Sequence, residues 1–404
     1  MLQPKATSAD DKQFEYLKAL HVQWENIETD ELPVMWASNY DLAKYSVKQG
    51  DLLVCEGGEV GRAGILKENL ENVIIQNSLH RVRSKDNCNA FLMYILINAA
   101  SRNWFEIICN KATIAHFTND KFSAFRIPLP PLAEQKDIAA FLDRETAKID
   151  GLIAKKEQLI ALLAEQRTAL ISRAVTKGLD ASVEMKPSGV TWLGDVPAHW
   201  EVWKLAHLTT RIGSGKTPTG GAEVYQTEGV LFLRSQNVYD EGLHLNDVAY
   251  IDEKTDKEMS WSRTKPNDIL LNITGASLGR TCLVPRDIKR ANVNQHVCVI
   301  RLKENDFSKF VAHYLKSKQA KSFYDLAQTG SAREGLNFEQ IGAFPIPLPP
   351  LAEQKEIAAF LDRETAKIDA LSTKITTAID HLKEYRTALI SAAVTGKIDV
   401  REAV

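Results

Sequence analysis

The sequence predicts an α+β protein: two globular α/β domains separated by two long antiparallel helices, which form an intramolecular coiled coil with pseudo-twofold symmetry. Three observations predict it. "IPLPPLAEQKDIAAFLDRETAKID" at 127–150 returns as "IPLPPLAEQKEIAAFLDRETAKID" at 346–369, changed only from Asp137 to Glu356. The duplication runs without a gap from 127–180 onto 346–399, with 38 of 54 positions identical. Both copies carry apolar residues at heptad spacing. Ahead of each copy lies a stretch of short Val-, Ile-, Leu- and Phe-rich runs between polar, Gly-containing loops.

Composition sets the bounds. A chain of 404 residues is long for one core, and 25% charged with 44% hydrophobic residues is ordinary for a globular protein. The start, "MLQPKATSADDKQFEY", lacks the apolar core of a signal peptide, and "AFLMYILINAA" at 90–100 is too short to cross a bilayer. Five cysteines without CxxC spacing suit a reducing cytosol, so a cytoplasmic location without a membrane is expected. Nine histidines form no H-x3-H or HExxH pair, so no metal site is expected. Net charge is −2. Residues 1–130 hold 14 Lys+Arg against 16 Asp+Glu, and residues 181–345 hold 20 against 19. Any DNA affinity must come from local patches or from partners that add basic surface.

The expected order is a first domain over 1–130, a first long helix over 131–178, a second domain over 179–349, and a second helix with tail over 350–404. In the first domain, "NAFLMYILINAASRNWFEII" (89–108) reads as a deeply buried helix, and "CEGGEVGR" (55–62) and "NKATIAHFTND" (110–120) read as loops. Pro130 and Pro131 then open a helix whose early turns carry Glu134 and Asp137 against the helix dipole. In the second domain, 229–238, 267–274 and 292–302 read as strands and 309–327 as an amphipathic helix. The second long helix carries Leu361, Ile368, Ile375, Leu382 and Leu389 every seven residues, with Ile357, Leu371, Ala378 and Tyr385 as the companion row. Its stop is expected near Gly396. About 42 helical residues make a rod of about 60 Å.

The identities reach past the apolar seam. Lys136, Asp143, Arg144 and Asp150 fall on the outer face by heptad count, as do Lys355, Asp362, Arg363 and Asp369. Ala140, Ala147, Ala359 and Ala366 also point outward, where small side chains let another helix approach. Two copies of one outer surface imply two copies of one partner.

Catalytic signatures are missing. "GSGKT" at 213–217 lacks the Gly that a Walker loop needs at 210, where Thr210 stands, and reads instead as a loop suited to a DNA phosphate. "DEK" at 252–254 reads as a turn or helix start. No D/N-P-P-F/Y tetrapeptide of an amino-methyltransferase and no G-x-S-x-G motif occurs, so the chain is expected not to be an enzyme.

The repeated segment, following a second domain that opens "PSGVTWLGDVPAHWEVWKL" (187–205), resembles the specificity subunits of type I restriction–modification systems, the HsdS family. The repeats cover about a quarter of the chain, and the layout nearly all of it. The resemblance implies two target-recognition domains, each reading one half of a bipartite double-stranded DNA target, with the helices fixing the spacer. It implies two modification (methyltransferase) subunits docked on the helices, with S-adenosylmethionine bound there and no cofactor in this chain. Restriction (motor/nuclease) subunits can join. One departure matters: the first domain reaches "EYLKALHV" (15–22) about 30 residues earlier than the second reaches its counterpart "LFLRSQNV" (231–238). A naturally reduced first domain and a shortened chain start are both open readings.

On this resemblance, expected DNA contacts are Lys18, His21, Arg62, Asn77, Lys111 and His116 in the first domain. In the second they are Lys216, Thr217, Arg234, Gln236, Asn237, Arg280, Asn294, Gln295 and Arg333. Arg, Asn and Gln suit bidentate contacts to guanine and adenine. Expected partner contacts are Lys136, Asp143, Arg144, Lys355, Asp362 and Arg363, with Arg167, Ser172, Arg386 and Ser391. The rival class is a coiled-coil interaction scaffold without DNA binding.

Overall fold

The computed structural model describes residues 3–109, 116–328 and 335–401. The chain divides into two compact units, Met1–Lys156 with Thr376–Val404, and Glu157–Ile375. Each unit thus holds a globular part plus a portion of both long helices.

In the first unit, β1 (Lys12–Leu17) runs antiparallel to β2 (Val34–Ala37). A second sheet centres on β3 (Leu52–Cys55), flanked by β4 (Ala63–Ile65). β5 (Val73–Ile75) joins β1 in parallel, and β6 (Leu79–Val82) closes the other edge of β3. All four residues of β3 are buried. Leu52 and Val54 enter the core shared with the helices, and Leu53 and Cys55 enter the core shared with Leu17 and Val73. Alternate side chains point to opposite faces, so a strand covered on both faces must be apolar throughout. Helix α1 (Asn89–Ser101) covers the β3 sheet. The expected helix over 89–108 is broken: Asn103 adopts a left-handed conformation (φ 56°), and a separate short helix spans Trp104–Ile108. The first long helix, α2, is Leu132–Lys177.

The second unit repeats this plan. β7 (Glu201–Lys204) precedes β8 (Thr209–Ser214). β9 (Val230–Leu233) lies between β10 (Ala249–Ile251), antiparallel, and β13 (Ala291–Val293), parallel. β11 (Ile269–Asn272) pairs with β12 (Thr281–Leu283) and β14 (Val297–Leu302), and β8 extends the sheet beyond β14. Ile269 and Leu271 face one core and Leu270 another, as in β3. The expected strand over 292–302 is two strands, because the Asn294 side chain accepts from the His296 N–H at 3.1 Å and fixes a turn between them. The expected strand over 229–238 likewise ends at Leu233, before the Ser235–Asn237 turn. The helix expected over 309–327 is also two, α3 (Ser308–Leu315) and α4 (Lys318–Gln328), the latter started by the Ser317 hydroxyl accepting from the Ala320 N–H. β15 (Pro345–Leu348) pairs antiparallel with β7, and the second long helix, α5, is Leu351–Val394. Asp252 caps the helix Glu253–Glu258, so "DEK" is a helix start.

Within each unit the long helices run antiparallel. In the first, Ile138 and Leu142 share a core with Ile390 and Val394; in the second, Ile171 and Val175 share one with Ile357 and Leu361. The companion heptad row is only partly buried. Ile357 is fully enclosed, but Leu371 and Tyr385 are exposed, while Ile379 and Ile390, outside both expected rows, are buried. The globular layers cover faces that a two-helix seam leaves open, so the buried stripe widens and shifts.

Candidate nucleic-acid interface

Each unit carries a polar cleft at the same place in its plan, beyond the C-terminal end of the central strand. In the second unit it forms where the chain leaves β11 and meets the turns before β12, after β9 and before β14. Ser235, Gln236, Tyr239, Thr274 to Ser277, Arg280 and His296 line a volume of about 420 Å³. Asn272, fully buried, donates to the Ser235 carbonyl at 2.8 Å and ties two of these turns together. A hydrogen-bond chain runs along one wall. The Thr217 hydroxyl donates to Gln295 Oε1 at 2.6 Å, Gln295 Nε2 lies 3.0 Å from His296 Nε2, and His296 Nδ1 lies 2.6 Å from Thr274 Oγ1. With the Gln295 amide as donor, His296 carries its proton on Nδ1, and the Thr274 hydroxyl keeps its own proton for another acceptor. On the opposite wall the Arg280 guanidinium stacks 4.5 Å from the Tyr239 ring, which itself stacks on His244 at 3.9 Å. Gln236 is held by Asp247 at 2.6 Å. Gly215, of the "GSGKT" loop, packs against this site: a Cβ there would lie 1.6 Å from the Val293 carbonyl oxygen, so only Gly fits.

In the first unit Met35, Glu56, Gly57, Gln76, Asn77, Ser78 and His116 line a volume of about 410 Å³. Glu56 follows β3 and its N–H donates to the Ser78 carbonyl ahead of β6, as Ile273 follows β11 and donates to the His296 carbonyl ahead of β14; Thr274 stands where Gly57 stands. A Cβ on Gly57 would stand 3.4 Å from His116 Nδ1, so the imidazole closes over the loop.

The structure distributes the expected DNA contacts unevenly. Asn77, His116, Gln236 and Arg280 line the clefts, and Thr217 and Gln295 brace one wall. Lys216 is exposed beside them. His21 and Asn237 are corrections. Both are buried, and both cap the same duplicated turn: Lys18 N–H donates to His21 Nδ1 at 3.2 Å, and Arg234 N–H to Asn237 Oδ1 at 3.0 Å. The Asn237 amide also serves the His244 and Asp247 carbonyls. Burial, and then Lys18, pull the His21 pKa down. Lys18 is half-buried beside that turn. Arg62 turns inward to the Ala19 carbonyl and Glu59, Arg234 pairs with Asp247 across Tyr225, and Asn294 is a buried turn cap. Lys111 and Arg333 lie outside the described residues. The sequence does not single out Thr274, Ser277, Tyr239, His296 or Glu56; the "TGASLGR" loop holds the first two, but loop polarity alone does not rank them.

The outer-face expectation for the helices also needs correction. Arg386 binds Asp150 at 2.9 Å and also pairs with Glu25; Arg167 binds Asp369 at 3.0 Å. These are one duplicated contact, made between helices rather than outward. Asp143 accepts from Tyr94 on α1 at 2.8 Å, and Asp362 accepts from His313 on α3 at 2.9 Å and from Lys309. Ser172 is buried and accepts from the Lys318 N–H; Ser391 accepts from Arg102. Lys355 pairs with Asp306. Lys136, Arg144, Arg363 and the four alanines Ala140, Ala147, Ala359 and Ala366 remain exposed. Part of the duplicated identity therefore serves packing, including buried Gln135 and Gln354, which donate to the Pro130 and Pro349 carbonyls.

The described residues contain no grouping of three or more His, Cys, Asp or Glu that could hold a metal, and no helix long and apolar enough to cross a membrane. Two α+β units built on one plan, each with a polar cleft and a share of two duplicated helices, define a tandem-domain protein. The model of the type I restriction modification DNA specificity domain matches residues 35–161 and 197–381. The chain therefore belongs to the type I restriction–modification DNA specificity family. It is 26% identical over 368 residues to a putative type I restriction enzyme MjaX specificity subunit of Methanocaldococcus jannaschii, covering 89% of this chain and 81% of that one. It is 26% identical over 298 residues to the type I restriction enzyme EcoBI specificity subunit of Escherichia coli, covering 72% of this chain and 62% of that one. Its fold matches a chain from a type I restriction–modification system (TM-score 0.65, 17% identity, covering 95% and 92% of the two chains). It also matches the HsdS subunit of Thermoanaerobacter tengcongensis (TM-score 0.52, 15% identity, 96% and 92%).

Proposed function

We propose that this chain is the non-catalytic DNA-reading subunit of a type I restriction–modification complex, each unit reading one half of a bipartite target through its cleft. The observation that carries this reading is the recurrence of the cleft at one topological position with different linings. The lining chemistry is that of base-edge readout: Arg280 and Gln236 suit guanine and adenine, Asn77 suits adenine, and Glu56 suits the amino group of cytosine. The exposed Ala140–Arg144–Ala147 face and its copy Ala359–Arg363–Ala366 offer two equivalent seats for two methyltransferase subunits, which bring S-adenosylmethionine and flip the target adenine. Affinity for DNA should fall steeply with salt, most of it coming from phosphate contacts in the assembled complex. Co-expression with the methyltransferase subunit, followed by mapping of methylated adenines, tests the reading. The expected result is two short motifs with a fixed gap. Absence of any chain-dependent methylation, or salt-insensitive partner binding alone, would leave the scaffold reading in its place.

A further inference from the structure

We propose that the first unit carries a docking groove for an extended, acidic, tryptophan-bearing segment of a partner polypeptide, which adds a strand along residues 126–129. The duplication itself shows what such a groove takes. In the second unit the segment ahead of β8 wraps the equivalent surface. Trp192 stacks on Phe344 (5.7 Å between ring centroids, 9° between planes) and lies 5.7 Å from Phe323. β7 then pairs along β15, with Lys204 opposite Pro345 and Trp203 opposite Ile346.

Phe125 stands where Phe344 stands, Trp104 where Phe323 stands, and 126–129 where β15 stands. Among the described residues, 126–129 has no strand partner. An open groove of about 480 Å³ remains, walled by Ile95, Ala99, Trp104, Phe125 and Ile127, with Trp104 47% exposed. One subsite is already taken. Trp200 lies 6.1 Å from Phe310 and shares a core with Ile357; their counterparts Phe91 and Ile138 share a core with Val400 and Ile398. The groove therefore seeks one aromatic anchor, at the Trp192 position, followed by a strand. Strand addition to an exposed edge with a side-chain pocket is a general mode of peptide capture.

Charge narrows the occupant. Arg102, Lys121 and Arg126 line the groove, and none forms an ion pair among the described residues; their counterparts are Lys321, Gln340 and Pro345. Among the described residues, Arg102 donates to the Ser391 hydroxyl and Lys121 to the His116 carbonyl. A strand in the β7 register places an acidic residue against Arg126, where the second unit has Lys204 against Pro345.

The test uses the full chain and a labelled peptide spanning 187–204 with Lys204→Glu, followed by fluorescence anisotropy. Saturable binding is expected, about tenfold weaker for the peptide that keeps Lys204. Ala124→Trp, at an exposed groove residue, should abolish it without changing the melting curve, and Arg126→Glu should reverse the preference between the peptides. No saturable binding, or binding indifferent to both variants, would overturn the proposal. So would a dimer of the chain that Ala124→Trp dissolves, because a second copy would then be the occupant.

Discussion

The two clefts sit at matching positions yet differ in charge. In the second unit Arg280 lies over Tyr239 and lines the cleft, whereas its counterpart Arg62 is drawn inward by Ala19 and Glu59. In the first unit the residue leaving the central strand is Glu56, which lines the cleft; in the second it is the buried Ile273, and the lining begins one residue later at Thr274. The strands, the turn caps at His21 and Asn237, and the Arg–Asp pairs between helices are shared. Within the clefts, what differs lies at loop tips. A scaffold whose buried contacts are duplicated can therefore hold two unlike recognition surfaces in like positions. The anchoring of each domain to its helix differs too: Tyr94 donates to Asp143 in one unit, and His313 bonds Asp362 in the other.

The largest expected asymmetry is at Trp200. Its side chain is fully buried in the second unit and has no aromatic counterpart in the first. Trp200→Ala should cost about 3–5 kcal/mol, and segment-resolved hydrogen exchange should show the loss in Glu157–Ile375 while the other unit keeps its protection. Equal loss in both would break the comparison. A smaller difference is expected between the duplicated arginines. Arg386 holds two carboxylates and Arg167 one, both at about a fifth exposure. Arg386→Ala should destabilise by about 1–2 kcal/mol and Arg167→Ala by about half that, as read by urea denaturation.

The smallest effect is in pH. Burial pulls the His313 pKa below its ordinary 6.5, while the hydrogen bond from His313, and then Lys309, holds Asp362 down to about 2. For both groups the unfolded chain binds protons more readily. Stability is then present above about pH 6.5 and declines below it, with the Asp362 share lost between about pH 3.8 and 2. The first unit has a tyrosine at this place, although its own His21, also pulled down by burial, adds a decline of the same sign there. His313→Tyr should therefore reduce the second unit's loss of exchange protection between pH 7 and 5 and leave the first unit's unchanged.

Much of this plan was legible in the sequence because it is written twice. The helices and the central strands emerged from self-similarity and from apolar runs. The break at Asn103 and the turn at 294–296 did not, since each depends on a single residue's backbone choice inside an apolar stretch. Heptad counting placed Asp150 and Asp369 outward because it sees only two helices and ignores reach: the guanidiniums of Arg386 and Arg167 fold back to these carboxylates from the neighbouring helix. His21 and Asn237 have the chemistry of base readers and of turn caps alike, and only burial separates the two roles. Gln236 and Arg280 were legible because they stand in polar loops that end buried strands. Glu56 was not, because a lone carboxylate in a Gly-rich loop carries no periodic signal.

The account rests on each unit reading its own half-site. Mapping methylated adenines after co-expression of the methyltransferase subunit with Arg280→Ala, or with Asn77→Ala plus His116→Ala, tests this most directly. Each variant should relax one motif, a different one in each case, and leave the other motif and the gap unchanged. A single contiguous motif, or simultaneous relaxation of both halves by either variant, would contradict it.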